Sequence, residues 1–147
     1  RKETVNSLVC VDASFALKLV LAEEDSEKAR MLWENWIKND VEILAPPLLL
    51  YEGASAIRGF VYRKLLTLEK GDLAFRALQA QAVTISSSPE IHDKAWNLAK
   101  MLNQPKVYDC HYLALAELSN CEFWTADERL FNAVKKQLAW VKWIGGV

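Results

Sequence analysis

Four acidic residues stand where a carboxylate could do chemistry: Asp12, Glu52, Asp109 and Asp127. Asp12 ends the apolar run Leu8–Val9–Cys10–Val11, and Ser14 follows it. Glu52 is the only charge between Leu48 and Ile57. Asp109 heads the run Cys–His–Tyr–Leu–Ala–Leu–Ala, and Asp127 follows Phe–Trp–Thr–Ala. An ordinary role suits each alone. The three aspartates can cap helices or sit in first turns, where the helix dipole favours them. Glu52 can pair with Arg58 or Arg63. Gathered in one pocket, the four would repel: a pair ~4 Å apart costs about 4 kcal/mol at an effective dielectric near 20. Such a pocket either keeps some carboxyls protonated or holds a cation. An all-oxygen, carboxylate-rich site without cysteine suits Mg²⁺ or Mn²⁺, ions that make hydroxide from water and stabilise charge on a phosphate.

Whether the four meet depends on the elements that carry them. Residues 8–12 read as a strand buried on both faces, with Asp12 at its carboxyl end, where open α/β sheets place their ligands. Helices follow over 14–23 and 24–38. The second carries Ala29, Leu32, Trp33, Trp36 and Ile37 at helical spacing. A strand over 41–45 ends at Pro46–Pro47, which open a helix over 48–62. The next helix spans 67 or 68 to 82, and 83–86 is a short strand. Ser88–Pro89–Glu90 starts a helix that runs to 102. Residues 108–118 form a well-buried helix, and 121–124 a strand. Thr125–Ala126–Asp127–Glu128 reads as a capping box for a helix ending near 137. The last strand is 140–144. Alternating strands and helices with long crossovers point to a mostly parallel sheet covered on both faces. Its carboxyl edge collects Asp12 and Asp127. Asp109 and Glu52 join them only if their helices point that way.

The bulk properties narrow the classes. The chain of 147 residues suits one domain over 1–147, with 1–7 as a polar lead-in. At 52% hydrophobic residues, with six tryptophans, it is not a disordered chain. A net charge of −1 excludes a polybasic nucleic-acid binder but not a local basic groove. Cys10, Cys110 and Cys121 form no CxxC pair, which fits reduced thiols in a cytoplasmic protein. No run reaches the ~18 apolar residues of a membrane span, and no signal-peptide pattern is seen.

Four segments carry a resemblance: Val11–Asp12–Ala13–Ser14, Pro47–Leu48–Leu49–Leu50–Tyr51–Glu52, Tyr108–Asp109–Cys110–His111–Tyr112–Leu113–Ala114–Leu115–Ala116, and Thr125–Ala126–Asp127–Glu128–Arg129–Leu130. In this order and at these separations they resemble a PIN domain, more narrowly a VapC-like toxin ribonuclease of a type II toxin–antitoxin pair. The resemblance implies a three-layer α/β/α sandwich with strand order 3-2-1-4-5, which makes the first strand central. It implies that Asp12, Glu52, Asp109 and Asp127 bind Mg²⁺ or Mn²⁺. It further implies attack of metal-activated water on an RNA phosphodiester, leaving a 5′-phosphate and a 3′-hydroxyl. A homodimer and a cognate antitoxin whose tail blocks the acidic pocket belong to the same expectation. Two features depart from the family pattern. Ser55 stands where Asn is common, and Cys110–His111 replace small residues after the third acid.

Ser14 and Thr125 are candidates to hydrogen-bond a ligating carboxylate. Lys18, Arg58, Arg63, Lys64 and Lys106 are the basic residues closest to the motifs and the candidate RNA contacts. Trp140 and Trp143 are expected on opposite faces of the last strand, with one forming an exposed dimer or antitoxin surface. Two other classes compete. A non-catalytic PIN-fold interaction module is disfavoured by the presence of all four acids. A phosphoacceptor receiver needs an Asp after the third strand, where Ser87–Ser88–Pro89 stands instead.

Overall fold

The computed structural model describes residues 7–147, so the polar lead-in expected at the start falls, save Ser7, outside the described residues. The chain alternates strands and helices. The strands are β1 (Leu8–Val11), β2 (Glu42–Ala45), β3 (Thr84–Ile85), β4 (Glu122–Thr125) and β5 (Val141–Trp143). The helices are α1 (Ala13–Val20), α2 (Ser26–Lys38), α3 (Leu48–Tyr62), α4 (Leu68–Gln79), α5 (Pro89–Met101), α6 (Tyr108–Leu118) and α7 (Glu128–Val134), followed by a 3₁₀ turn at Ile144–Gly146. The five strands pair in parallel in the order β3-β2-β1-β4-β5, as the resemblance implies. Cys10 lies between Leu44 and Phe123 in register, so β1 is the centre of the sheet.

A central strand covered on both faces must be apolar throughout. Accordingly Val9, Cys10 and Val11 are buried, as are Ile43, Leu44 and Ala45 on β2 and Phe123 on β4. Phe15 and Trp36 stack with ring centroids 5.4 Å apart and fasten α1 to α2. The α3–α4 hairpin closes over two glycines. A Cβ on Gly71 would stand 2.4 Å from Val61 Cγ2, and one on Gly53 2.6 Å from Leu78 Cδ2. Close approach of those helices needs the missing side chains. All three cysteines are free thiols. Among the described residues no helix is long and apolar enough to cross a membrane.

Several expected boundaries shift. The helix expected to 82 ends at Gln79, and Gln81 then donates its side-chain amide to the Ala16 carbonyl on α1, 2.9 Å away. Ser88 does precede α5 but makes no side-chain cap bond. The capping box at 125–128 is corrected. Thr125 is a fully buried strand residue, and the cap of α7 is Asp127, whose Oδ1 accepts from the Leu130 N–H. Neither Trp140 nor Trp143 stands free. Both are half-buried, and Trp143 stacks on Phe131 with centroids 5.9 Å apart. The exposed tryptophan is Trp96 on α5.

Candidate functional site

A parallel sheet delivers the carboxyl ends of its strands to one edge. Asp12 and Asp127 arrive there directly, each as the residue before a helix. Asp12 caps α1: its Oδ1 accepts from the Phe15 N–H at 3.0 Å and from Ser14 Oγ at 2.6 Å. Its Oδ2 accepts from Thr125 Oγ1 at 2.5 Å, which crosses from β1 to β4. Ser14 Oγ in turn accepts from the Ala126 N–H, and Thr125 Oγ1 from the Asp127 N–H, both at 3.0 Å. Both hydroxyls therefore orient a carboxylate and tie two strand ends together, the role expected for Ser14 and Thr125.

Asp12 is 4% exposed. Burial pushes its carboxyl up to about 6, against the pull of those three hydrogen bonds, and the Asp109 charge pushes the same way. Asp109 lies in the first turn of α6, behind Val107 at the cap position, and makes no cap bond of its own. Burial raises its carboxyl, Asp127 raises it further, and Arg129 offsets part of this. Glu52, one turn into α3, is raised by burial and by Asp109. Asp109 is thus the hub: its charge is felt by Asp12 and Glu52, and it feels Asp127 in turn.

The alternative for Glu52, a pairing with Arg58 or Arg63, is not found. Those guanidinium groups lie over the Tyr62 and Phe60 rings, and Tyr112 Oη donates to Glu52 Oε1 at 2.5 Å. Tyr112 is buried on α6, and burial together with Glu52 keeps its phenol protonated well above the usual range. Its position three residues after Asp109 puts it on the same helical face, which is the signal that marks it.

Arg129 is the second residue at the site that is not among the candidates named above. Its Nη2 lies 3.5 Å from Asp127 Oδ2 and 4.0 Å from Asp109 Oδ2. A cation in the first turn of a helix opposes the dipole. The carboxylates of Asp109 and Asp127 face that charge. Of the basic residues expected near the site, Lys18 pairs with Glu23 at 3.7 Å. Ser55 is exposed. His111 hydrogen-bonds His92.

The donor set is all oxygen and mutually repulsive, which fits a hard divalent cation. Among the described residues no three His, Cys, Asp or Glu side chains are already gathered into a metal cage. A rim of separated carboxylates matches the way Mg²⁺ binds, through one or two carboxylates with retained waters and substrate phosphate.

Comparison with known proteins follows the same lines. The sequence matches the PIN domain family over residues 9–137. It is 29% identical over 130 residues to the VapC ribonuclease Mb0985 of Mycobacterium bovis, covering 88% of this chain and 94% of that one. The same figures hold for ribonuclease VapC9 of Mycobacterium tuberculosis. In fold it is similar to the crystal structure of PAE2754 from Pyrobaculum aerophilum, with a TM-score of 0.63 and 20% identity, over 86% of this chain and 79% of that one.

Proposed function

Because the chain belongs to the PIN domain family, we propose that it is an endoribonuclease dependent on Mg²⁺ or Mn²⁺, the toxin of a toxin–antitoxin pair. The observation that carries this reading is the buried Asp12 carboxyl, held by three donors and burdened by the Asp109 charge. A cap alone needs neither the burial nor the neighbouring acid. The names of the mycobacterial relatives support the substrate class, and the resemblance to VapC-like toxins supports the toxin role.

In this reading Asp12, Glu52, Asp109 and Asp127 hold the cation. When bound, it lowers the pKa of water and neutralises charge building on a phosphate. The chain's own residues do the rest. Ser14, Thr125 and the Phe15 N–H fix the two oxygens of Asp12 before any ligand arrives. Tyr112 fixes Glu52. Arg129, 75% exposed in its side chain, is free to leave Asp109 and Asp127 for an RNA phosphate. The protein acts in the cytoplasm as a homodimer, with RNA as substrate and an antitoxin as partner.

The test is cleavage of single-stranded RNA with Mn²⁺ or Mg²⁺. Wild type should cut, EDTA should stop it, and Asp12→Asn should abolish it while circular dichroism stays unchanged. Full activity of a nuclease-free Asp12→Asn preparation would remove Asp12 from the site.

A further inference from the structure

The chain has two histidines, and the fold brings them together. His92 Nδ1 on α5 and His111 Nε2 on α6 are 2.9 Å apart, with ring centroids 5.2 Å apart and planes inclined by 29°. His111 Nδ1 also lies 3.0 Å from the Val107 carbonyl oxygen. A carbonyl only accepts, so the neutral His111 ring carries its proton on Nδ1 and offers the Nε2 lone pair. His92 Nδ1–H therefore donates, and His92 Nε2 is left as an acceptor. Both rings have a set orientation and a set tautomer.

The pair walls a cavity of about 220 Å³ whose other faces are Pro46, Pro47, Leu48, Ile91 and the serine segment 86–88. The cavity sits just past the carboxyl ends of β2 and β3, on the sheet edge that carries the acidic site. Leu48 is one helical turn before Glu52, and His111 is two residues past Asp109. The cavity therefore lies on the same sheet edge as the carboxylates, nearest to Glu52 through Leu48.

Its size and lining select a ligand. It is smaller than the roughly 300–1,000 Å³ of pockets for drug-sized molecules, so it takes one flat ring system. Its lining combines apolar side chains and the imidazole rings with a few polar groups, the serines at 86–88 and His92. The Ser88 hydroxyl makes no cap bond to its helix. Trp96, 62% exposed, lies one helical turn beyond His92 on the same stripe of α5. Unpaired RNA bases are recognised by stacking on histidine and other aromatic rings, with hydrogen bonds read along the base edge.

We propose that this cavity is a base-reading subsite: it receives one unpaired base of the RNA strand beside the phosphate at the acidic site, stacked against His92 and read by the serine hydroxyls and His92 Nε2. The proposal rests on the ribonuclease reading. His92 is here a specificity residue and not part of the carboxylate machinery.

The test uses a random-sequence single-stranded RNA pool cut in Mn²⁺, with the new ends sequenced, for wild type, His92→Ala and His92→Phe. Wild type should show a base preference at one position near the cut. Loss of the stacking ring should weaken binding of single-stranded RNA by at least about fivefold in His92→Ala and slow cutting of the pool, and loss of the edge acceptor with it should flatten the base preference. His92→Phe, which keeps a ring but no edge acceptor, should keep affinity and lose part of the preference. An unchanged preference in His92→Ala would overturn the subsite and leave the ribonuclease reading standing.

Two histidines give two imidazole Cε1–H signals in a carbon–proton spectrum, which supplies a readout independent of turnover. A short single-stranded RNA should shift both on the full chain carrying Asp109→Asn. RNA that binds without moving either signal would overturn the subsite alone. Absence of both RNA binding and wild-type cleavage would overturn the ribonuclease reading and the subsite with it. Signals that move with protein concentration and not with RNA would assign this face to a second copy of the chain and overturn the proposal.

Discussion

Asp12→Asn should make the metal-free protein more stable at neutral pH, and the structure gives the size of the gain. The buried carboxyl titrates at about 6 against 3.8 for an exposed one. At 1.36 kcal/mol per pKa unit, ionised Asp12 costs the fold about 3 kcal/mol above pH 6. The sign follows from the raised value. The stability is fully present below the unfolded value, near 4, and is lost as pH rises through about 6. Asparagine caps a helix as well as aspartate does, and its carbonyl oxygen can keep the Phe15 and Ser14 bonds. Its amide nitrogen, however, meets a Thr125 hydroxyl that now donates to Oδ2. Reorganising that bond costs about 1 kcal/mol. The net gain at pH 7.5 in EDTA is about 2 kcal/mol, or about 4–8 °C in Tm for a chain of this size. Thermal melts at pH 5.0, 6.0 and 7.5 check it. The gap between variant and wild type should be widest at pH 7.5 and shrink by pH 5.0 as wild-type Asp12 takes up its proton. A variant less stable than wild type at every pH, by a constant margin, would refute the reasoning and leave Asp12 as an ordinary cap.

Further expectations concern the residues around it. Because Asp12 must be ionised to hold a cation, Mn²⁺ affinity should fall as pH drops through about 6; calorimetry in buffers of different ionisation enthalpy should detect proton release at pH 6 and little at pH 8. Tyr112→Phe removes the donor to Glu52 Oε1 and should cost roughly 1–2 kcal/mol in urea unfolding, with weaker Mn²⁺ binding. Thr125→Val strips a buried hydroxyl that serves Asp12 and the Asp127 N–H at once, and should cost roughly 1–3 kcal/mol by the same measurement. Arg129→Ala should leave Mn²⁺ binding as tight as in wild type or tighter, since a competing cation is gone, while RNA cleavage falls several-fold; weaker metal binding would contradict that role.

The frame of this fold is written in local pattern. The apolar run at 8–11 is buried on both faces of a central strand, and α3 and α6 span the residues that their composition and breakers mark. The sheet edge follows from parallel pairing, so the meeting of Asp12 with Asp127 is legible once alternating strands and helices are read. What joins the acids is less so. Thr125 looks like a cap because Asp127 and Glu128 follow it, yet its hydroxyl turns inward to a carboxylate 113 positions away in sequence. Tyr112 looks like one more apolar residue of a buried helix until it meets Glu52 across 60 positions. The histidines are separated by 19 positions and two helices. Such contacts depend on how elements pack, and a residue's neighbours along the chain do not carry that. Arg129 is the exception: a cation in the wrong turn of a helix is a local sign of nearby negative charge.

We propose that the four carboxylates form a divalent-cation site with Asp109 as its hub. The most direct measurement is Mn²⁺ titration by calorimetry at pH 7.5 on wild type and Asp109→Asn, each shown by circular dichroism to be folded. Wild type should bind and the variant should not. Binding of equal strength by both, or by neither, would contradict it.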